Sequence, residues 1–301
     1  YAKLRTLINR TVHRFRSGRV LRLTRSENLH DSLTNTRATM SLHSPKEIAA
    51  IAIQSGVTKS RLPVSSLLIL GFMAGAFIAV GFLLDLHVIN KLPADWGSFG
   101  GFLGAAVFPV GLILTILAGG ELLTGNMLTM PIAWFARQIS GFSLLRNWFW
   151  ITIANFIGSI AVAWFFGHIL GMTEGDYLNK TVAIASAKVN ADFTHAFISG
   201  IGCNWLVCLA VWLAFASKDV VGKIFGAWFP VMAFVAIGFQ HVVANMFIVP
   251  AAIFAGQLTW ADYLPNFVAV FLGNAVGGAV VVALAYFLAY RPAAEAATTP
   301  R

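Results

Sequence analysis

Six stretches of this chain run for about twenty residues or more with no Lys, Arg, Asp or Glu, and they decide what it can fold into. They lie at 65–84, 96–136 (interrupted once, by Glu121), 147–170, 193–217, 224–255 and 263–290. Inside a bilayer every backbone polar group must be bonded internally, so such runs cross as helices or as closed barrels. These runs are continuously apolar rather than alternating, which selects helices. Only 11% of the residues are charged against 58% hydrophobic, too few charges to cover a water-facing surface. The expected fold class is an all-α membrane protein with six transmembrane helices, of which the second and fifth are too long and too interrupted to be simple rods.

Loop charges orient the spans. Lys46, Lys59, Arg61, Arg137, Arg146, Lys218, Lys223, Arg291 and Arg301 fall on one side, and Lys91, Lys180 and Lys188 on the other. Nine against three places both termini in the cytoplasm and the hairpin 171–190 outside. The net charge of +9 does not point to nucleic acid. Residues 1–39 hold nine basic and two acidic residues, a net of +7, and the rest of the chain holds twelve and ten, a net of +2.

Four segments follow: a basic polar arm at 1–39, a cytoplasmic interfacial helix within 40–64, the six-helix body at 65–290, and a disordered cytoplasmic tail at 291–301. The arm lacks the apolar core and cleavage site of a signal peptide. Native translation is expected to start near Met40, with a lipid- or partner-binding arm as the rival reading. Ser44, Pro45 and Glu47 spell an N-cap, a first-turn proline and a capping box. In the helix they open, Ile48, Ile51, Ala52, Ser55 and Gly56 form a weak apolar stripe, suited to lying on a membrane surface or to delivering the chain to the first span. Cys203 and Cys208 sit about 140° apart on one helix, cannot bridge each other, and read as small buried hydrophobes. No metal-ligand spacing is present and no cofactor is implied.

Sliding the chain against itself by 119 residues superimposes Gly119 on Gly238, Asn126-Met127 on Asn245-Met246, and Pro131 on Pro250. Asn147 then meets Asn266, Asn155 meets Asn274, and Gly158 meets Gly277. Spans one to three and four to six therefore read as two copies of one unit. An odd number of crossings per copy makes the copies inverted. The match is sharpest at two helix breaks, Gly119-Gly120-Glu121-Leu122-Leu123-Thr124-Gly125 and Gly238-Phe239-Gln240-His241-Val242. Non-helical backbone at membrane depth lines a cavity or is buried in protein, and paired breaks mark a transport site. Half-helix N-termini turned toward that site would favour an anion.

His241 is the sole His, Lys or Arg in the 38 residues from Ile224 to Ala261. An ionisable group there is costly and functional by default. It could hold an arriving carboxylate as an ion pair, or give up a proton so that neutral acid crosses the apolar barrier. Glu121 would repel an anion, so it is expected to pin the first break by accepting backbone N–H bonds or the Thr124 hydroxyl. Asn126 and Asn245 are expected to satisfy backbone groups freed at the breaks. Asn204 divides evenly between donating to an anion and packing helices. Phe239, Phe72 and Phe77 are the candidate constriction rings. Gly71/Gly75, Gly100/Gly104 and Gly273/Gly277 are small pairs that let helices approach closely.

At Ala118-Gly119-Gly120-Glu121-Leu122-Leu123-Thr124-Gly125, at Gly200-Ile201-Gly202-Cys203-Asn204-Trp205, and at the Gly-Phe-x-His-x-x-Ala-Asn-Met run around His241, the chain resembles the formate/nitrite transporter family. The resemblance implies an aquaporin-like fold and a homopentamer with one pore per protomer in a bacterial cell membrane. It also implies passage of formate, nitrite, hydrosulfide, acetate or lactate, together with protons. It makes His241 the central pore histidine, Asn204 its pore-side neighbour and Lys188 the outer-vestibule lysine, with Leu123 and Thr124 at the constriction. Gln240 departs from the Glu of enteric formate and nitrite channels, so their acid gating is not carried over. Within that frame the chain is expected to be a formate channel and not an enzyme. Nitrite or hydrosulfide conduction, or an obligatory proton-coupled symporter, are the alternatives. Outside transport, a haem- or quinone-binding redox subunit would have only His168 and His241 to ligate with, at different depths.

Overall fold

The computed structural model describes residues 42–290; the arm, the start at Met40 and the 291–301 tail lie outside the described residues. Ten helices carry the described chain. They are α1 (Pro45–Ser60), α2 (Val64–Asn90), α3 (Ser98–Gly119), α4 (Leu123–Phe135), α5 (Gly141–Ile169), α6 (Leu178–Val189), α7 (Phe193–Ala216), α8 (Val220–Ile237), α9 (Val242–Phe254) and α10 (Trp260–Ala289). Of these, α2, α3, α5, α7, α8 and α10 are the six helices long and apolar enough to cross a membrane. Among the described residues there is no sheet, only an isolated bridge between Leu42 and Ser217.

The breaks fall where the sequence places them. α3 stops at Gly119 and resumes as α4 at Leu123; α8 stops before Gly238 and resumes as α9 at Val242. Gly119 and Gly238 take φ of +89° and +87°, the left-handed region that a side chain strains to enter. The two resumed half-helices form the centre of the molecule. Every residue from Leu123 to Ala133 and from Val242 to Ala252 is buried. Each is 13 residues, about 20 Å long, and the longer helices wrap around them.

Small residues set how closely that wrap can approach. A Cβ on Gly75 would lie 2.1 Å from the Asn155 carbonyl, one on Gly158 would lie 2.0 Å from that of Phe72, and one on Gly273 would lie 2.2 Å from that of Phe197. These α2–α5 and α7–α10 contacts are backbone against backbone, as the small pairs predict.

α1 opens with the expected capping box: the Ser44 N–H donates to Glu47 Oε2 at 2.7 Å, and the Ser44 hydroxyl oxygen accepts from the Glu47 N–H. Its buried face is Ile48, Ala49, Ala52, Gly56 and Val57, turned by about a residue from the expected stripe, with Ile51 and Ser55 only half-buried. That face is seated on α4, where a Cβ on Gly56 would lie 2.0 Å from the Thr129 carbonyl. The helix is therefore packed against the body along that face.

Candidate functional site

The backbone freed at each break is held by one asparagine from a neighbouring span. Asn155 Oδ1 accepts from the Leu123 N–H at 2.9 Å, and its amide donates to the carbonyls of Gly71 at 2.8 Å and Glu121 at 2.9 Å. Asn274 does the same 119 residues later: Oδ1 accepts from the Val242 N–H at 2.9 Å, and the amide donates to Gly200 at 2.8 Å and Gln240 at 3.0 Å. The leading N–H of each half-helix is therefore already satisfied and does not wait for an anion.

A second layer of side chains braces each loop. At the first break Glu121 lies 2.8 Å from Lys59 Nζ and accepts from the Asn126 amide at 2.8 Å. Asn126 also donates to Asn147 Oδ1 at 2.9 Å and accepts from Lys59 at 2.8 Å. At the second break Gln240 Oε1 accepts from Asn245 and from Asn266, both at 2.9 Å, and Asn266 donates to the Lys188 carbonyl at 2.7 Å. A buried carboxylate survives at Glu121 because an ammonium and an amide both serve it.

Two cavities approach the breaks from opposite ends of the bundle. The larger, about 690 Å³, is lined by Phe82 and Asp85 of α2, Phe108 of α3, Lys188 of α6, and Gln240 and His241 at the second break. The smaller, about 260 Å³, is lined by Lys59, Leu70, Thr115, Glu121, Leu122 and Phe215. On α2 alone Leu70 and Phe82 are twelve residues apart, about 18 Å along the helix axis. Between the cavities the breaks meet: Thr124 Oγ1 lies 2.8 Å from His241 Nε2, with both side chains buried.

The ring's protonation follows from its partners. His241 Nδ1 accepts from the Ala244 N–H at 3.2 Å, capping α9. A neutral imidazole accepting at Nδ1 carries its proton on Nε2, so the ring donates to Thr124, and the threonine hydroxyl proton is left for a third group. A second proton on the ring would enter at Nδ1 at the expense of the cap.

A family model described as formate/nitrite transporter matches residues 46–288. The chain belongs to the formate/nitrite transporter family. It is 58% identical over 252 residues to a protein of Bacillus subtilis named uncharacterized transporter YrhG, covering 83% of this chain and 95% of that one. It is 57% identical to the formate channel BtFdhC of Bacillus thuringiensis, covering 84% of this chain and 97% of that one. A solved FNT family ion channel superimposes with a TM-score of 0.76 at 28% identity, over 81% of this chain and 98% of that one. A pentameric formate channel with formate bound gives 0.67 at 30% identity, over 75% and 97%. This formate/nitrite transporter is thus a multi-pass membrane channel or transporter for small anions, not an enzyme.

Within this transporter the expected residues divide. His241 and Lys188 both line the large cavity, Thr124 bonds His241, and Leu123 is fully buried beside Thr124. Asn204 lines neither cavity: its amide donates to the Asn274 carbonyl at 2.7 Å and to Met127 Sδ at 3.5 Å. Glu121 is not paired with Thr124, whose hydroxyl serves His241 instead. Asn126 and Asn245 bond side chains and not freed backbone, which Asn155 and Asn274 take. Lys188 is no solvated loop residue; it closes α6 with its Nζ 5.9 Å from the centre of the Phe82 ring. Phe82, Phe108, Phe234 and Phe239 line the large cavity, whereas Phe72 is exposed and Phe77 lines neither cavity. Lys59, Asp85 and Phe82 were not singled out from sequence. Lys59 and Asp85 looked like flanking charges at the ends of apolar runs.

Proposed function

We propose that this chain is a formate channel of the bacterial cell membrane, assembled as a homopentamer with an aquaporin-like pore in each protomer. The supporting observation is the Thr124–His241 contact, which joins two helix breaks between two cavities. The relatives named as formate channels point to the same cargo. The matching Asn155 and Asn274 bonds support two inverted repeats, and the loop charges support cytoplasmic termini with the large cavity opening outward.

Formate entering the large cavity meets Lys188, then the rings of Phe82, Phe108 and Phe234, and then the free hydroxyl proton of Thr124, whose oxygen is held by the Nε2–H of His241. There it is held by hydrogen bonds, or it takes a proton from a doubly protonated ring and crosses the apolar waist as neutral acid. Obligatory proton coupling differs from this only in whether every turnover carries the proton. In proteoliposomes given formate, nitrite, hydrosulfide, acetate and lactate, formate is expected to move fastest. Formate flux no greater than in empty vesicles overturns the reading.

Lys188 lies outside the spans, and burial pulls its ammonium down from 10.5 to about 8, with the Asp85 carboxylate opposing. Its charge is present below about pH 8 and lost as the pH rises through that value. Formate influx is therefore expected to fall as external pH passes about 8. Lys188→Met should show a higher half-saturating formate concentration and no inflection in that window. Stopped-flow flux on the two proteins, with undissociated acid held constant, checks it.

A further inference from the structure

Asp85 is a buried carboxylate on a membrane-spanning helix, 6% exposed, and it forms no hydrogen bond or ion pair with any other described residue. Such a group is costly unless it acts on something. It sits in the wall of the large cavity one turn beyond Phe82, the ring over which Lys188 Nζ lies. Space for it is made by α3, where a Cβ on Gly104 would lie 2.0 Å from Asp85 Oδ1. An unbonded carboxylate, backed by Gly104, and an ammonium thus line one chamber. Lys180, His195 and His241 are the other ionisable groups lining it.

We propose that Asp85 is a specificity-determining residue of the anion pathway, competing with the transported anion for the charge of Lys188. The proposal rests on the large cavity being the formate entrance. A lysine alone in a low-dielectric chamber attracts monovalent anions and also holds them, which slows release. A carboxylate lining the same chamber offsets part of that attraction whenever the chamber is empty, and an entering anion must compete with it. Occupancy then stays brief, and non-transported anions gain little residence at Lys188. The carboxylate packs against Gly104 but caps no helix, and none of its oxygens is hydrogen-bonded among the described residues.

The test is formate influx and its inhibition by chloride in proteoliposomes of wild type, Asp85→Asn and Asp85→Glu. Asp85→Asn is expected to lower the half-saturating formate concentration about threefold or more, to lower maximal flux, and to make chloride a stronger inhibitor. Asp85→Glu, which keeps the charge, should behave as wild type in all three. Asp85→Ser, smaller and neutral, repeats the Asn measurement should that variant fail to assemble. Wild-type half-saturation and chloride sensitivity in the neutral variants overturn the proposal. So does a change shared equally by Asp85→Glu, which would make the effect steric. Absence of formate flux in the wild-type protein instead overturns the pathway reading, so the two failures are separable.

Discussion

Replacing His241 with alanine is expected to cut formate flux about tenfold or more, because two hydrogen bonds at the waist disappear together. The Ala244 N–H loses its cap at 3.2 Å, and Thr124 loses the donor at 2.8 Å that fixes its hydroxyl. His241→Asn separates structure from proton chemistry. An asparagine can accept at the N-cap and reach Thr124 with its amide, so α9 should stay in place and flux should largely persist. It cannot take up a proton near neutral pH. If the ring is what exchanges a proton with formate, the Asn variant should carry formate with a weakened change in internal pH. A pH-sensitive dye inside the vesicles, read beside labelled formate uptake, gives both quantities. Unchanged internal acidification per formate in the Asn variant would remove the proton role and leave His241 as a hydrogen-bond donor only.

The large features of the fold were legible because they rest on one-dimensional signals. Apolar run length gives six spans, and Gly119 and Gly238 with their flanking polar residues mark both breaks. Side-chain destinations were less legible, since they depend on helix rotation that no spacing rule reports. Asn204 and Asn274 sit on adjacent spans in similar apolar settings, yet Asn274 holds a break and Asn204 holds Asn274. Asp85 looked like the end of a span because it is charged, but α2 runs on to Asn90 with that carboxylate turned into the cavity. The partner of Glu121, Lys59, lies 62 residues away and was counted with the loop cations. Its positional counterpart was hidden too. Gly71 and Gly200, which accept equivalent bonds from Asn155 and Asn274, are 129 apart, as are Lys59 and Lys188, whereas the breaks repeat at 119. A fixed offset therefore pairs the breaks and misses the lysines.

The largest stability effects are expected at the two asparagines that hold the breaks. Asn155→Leu and Asn274→Leu each remove three hydrogen bonds from buried backbone: one to the leading N–H of a half-helix and two to carbonyls. Leaving a buried donor or acceptor unpaired costs about 1–3 kcal/mol, so either change should cost at least about 3 kcal/mol. No water can replace these bonds at membrane depth unless a cavity opens, and closely approaching backbones at Gly75 and Gly273 leave little room for one. Thermal unfolding in detergent, followed by size-exclusion recovery, should place both variants well below wild type. Asn204→Leu gives the contrast. It removes one bond to the Asn274 carbonyl and a long, weak one to Met127 Sδ, and none from the leading N–H of a half-helix, so it should lose about 1 kcal/mol and leave the breaks standing. Equal losses for Asn204→Leu and Asn274→Leu would mean that the second break is held by the α7–α10 contact as a whole and not by Asn274.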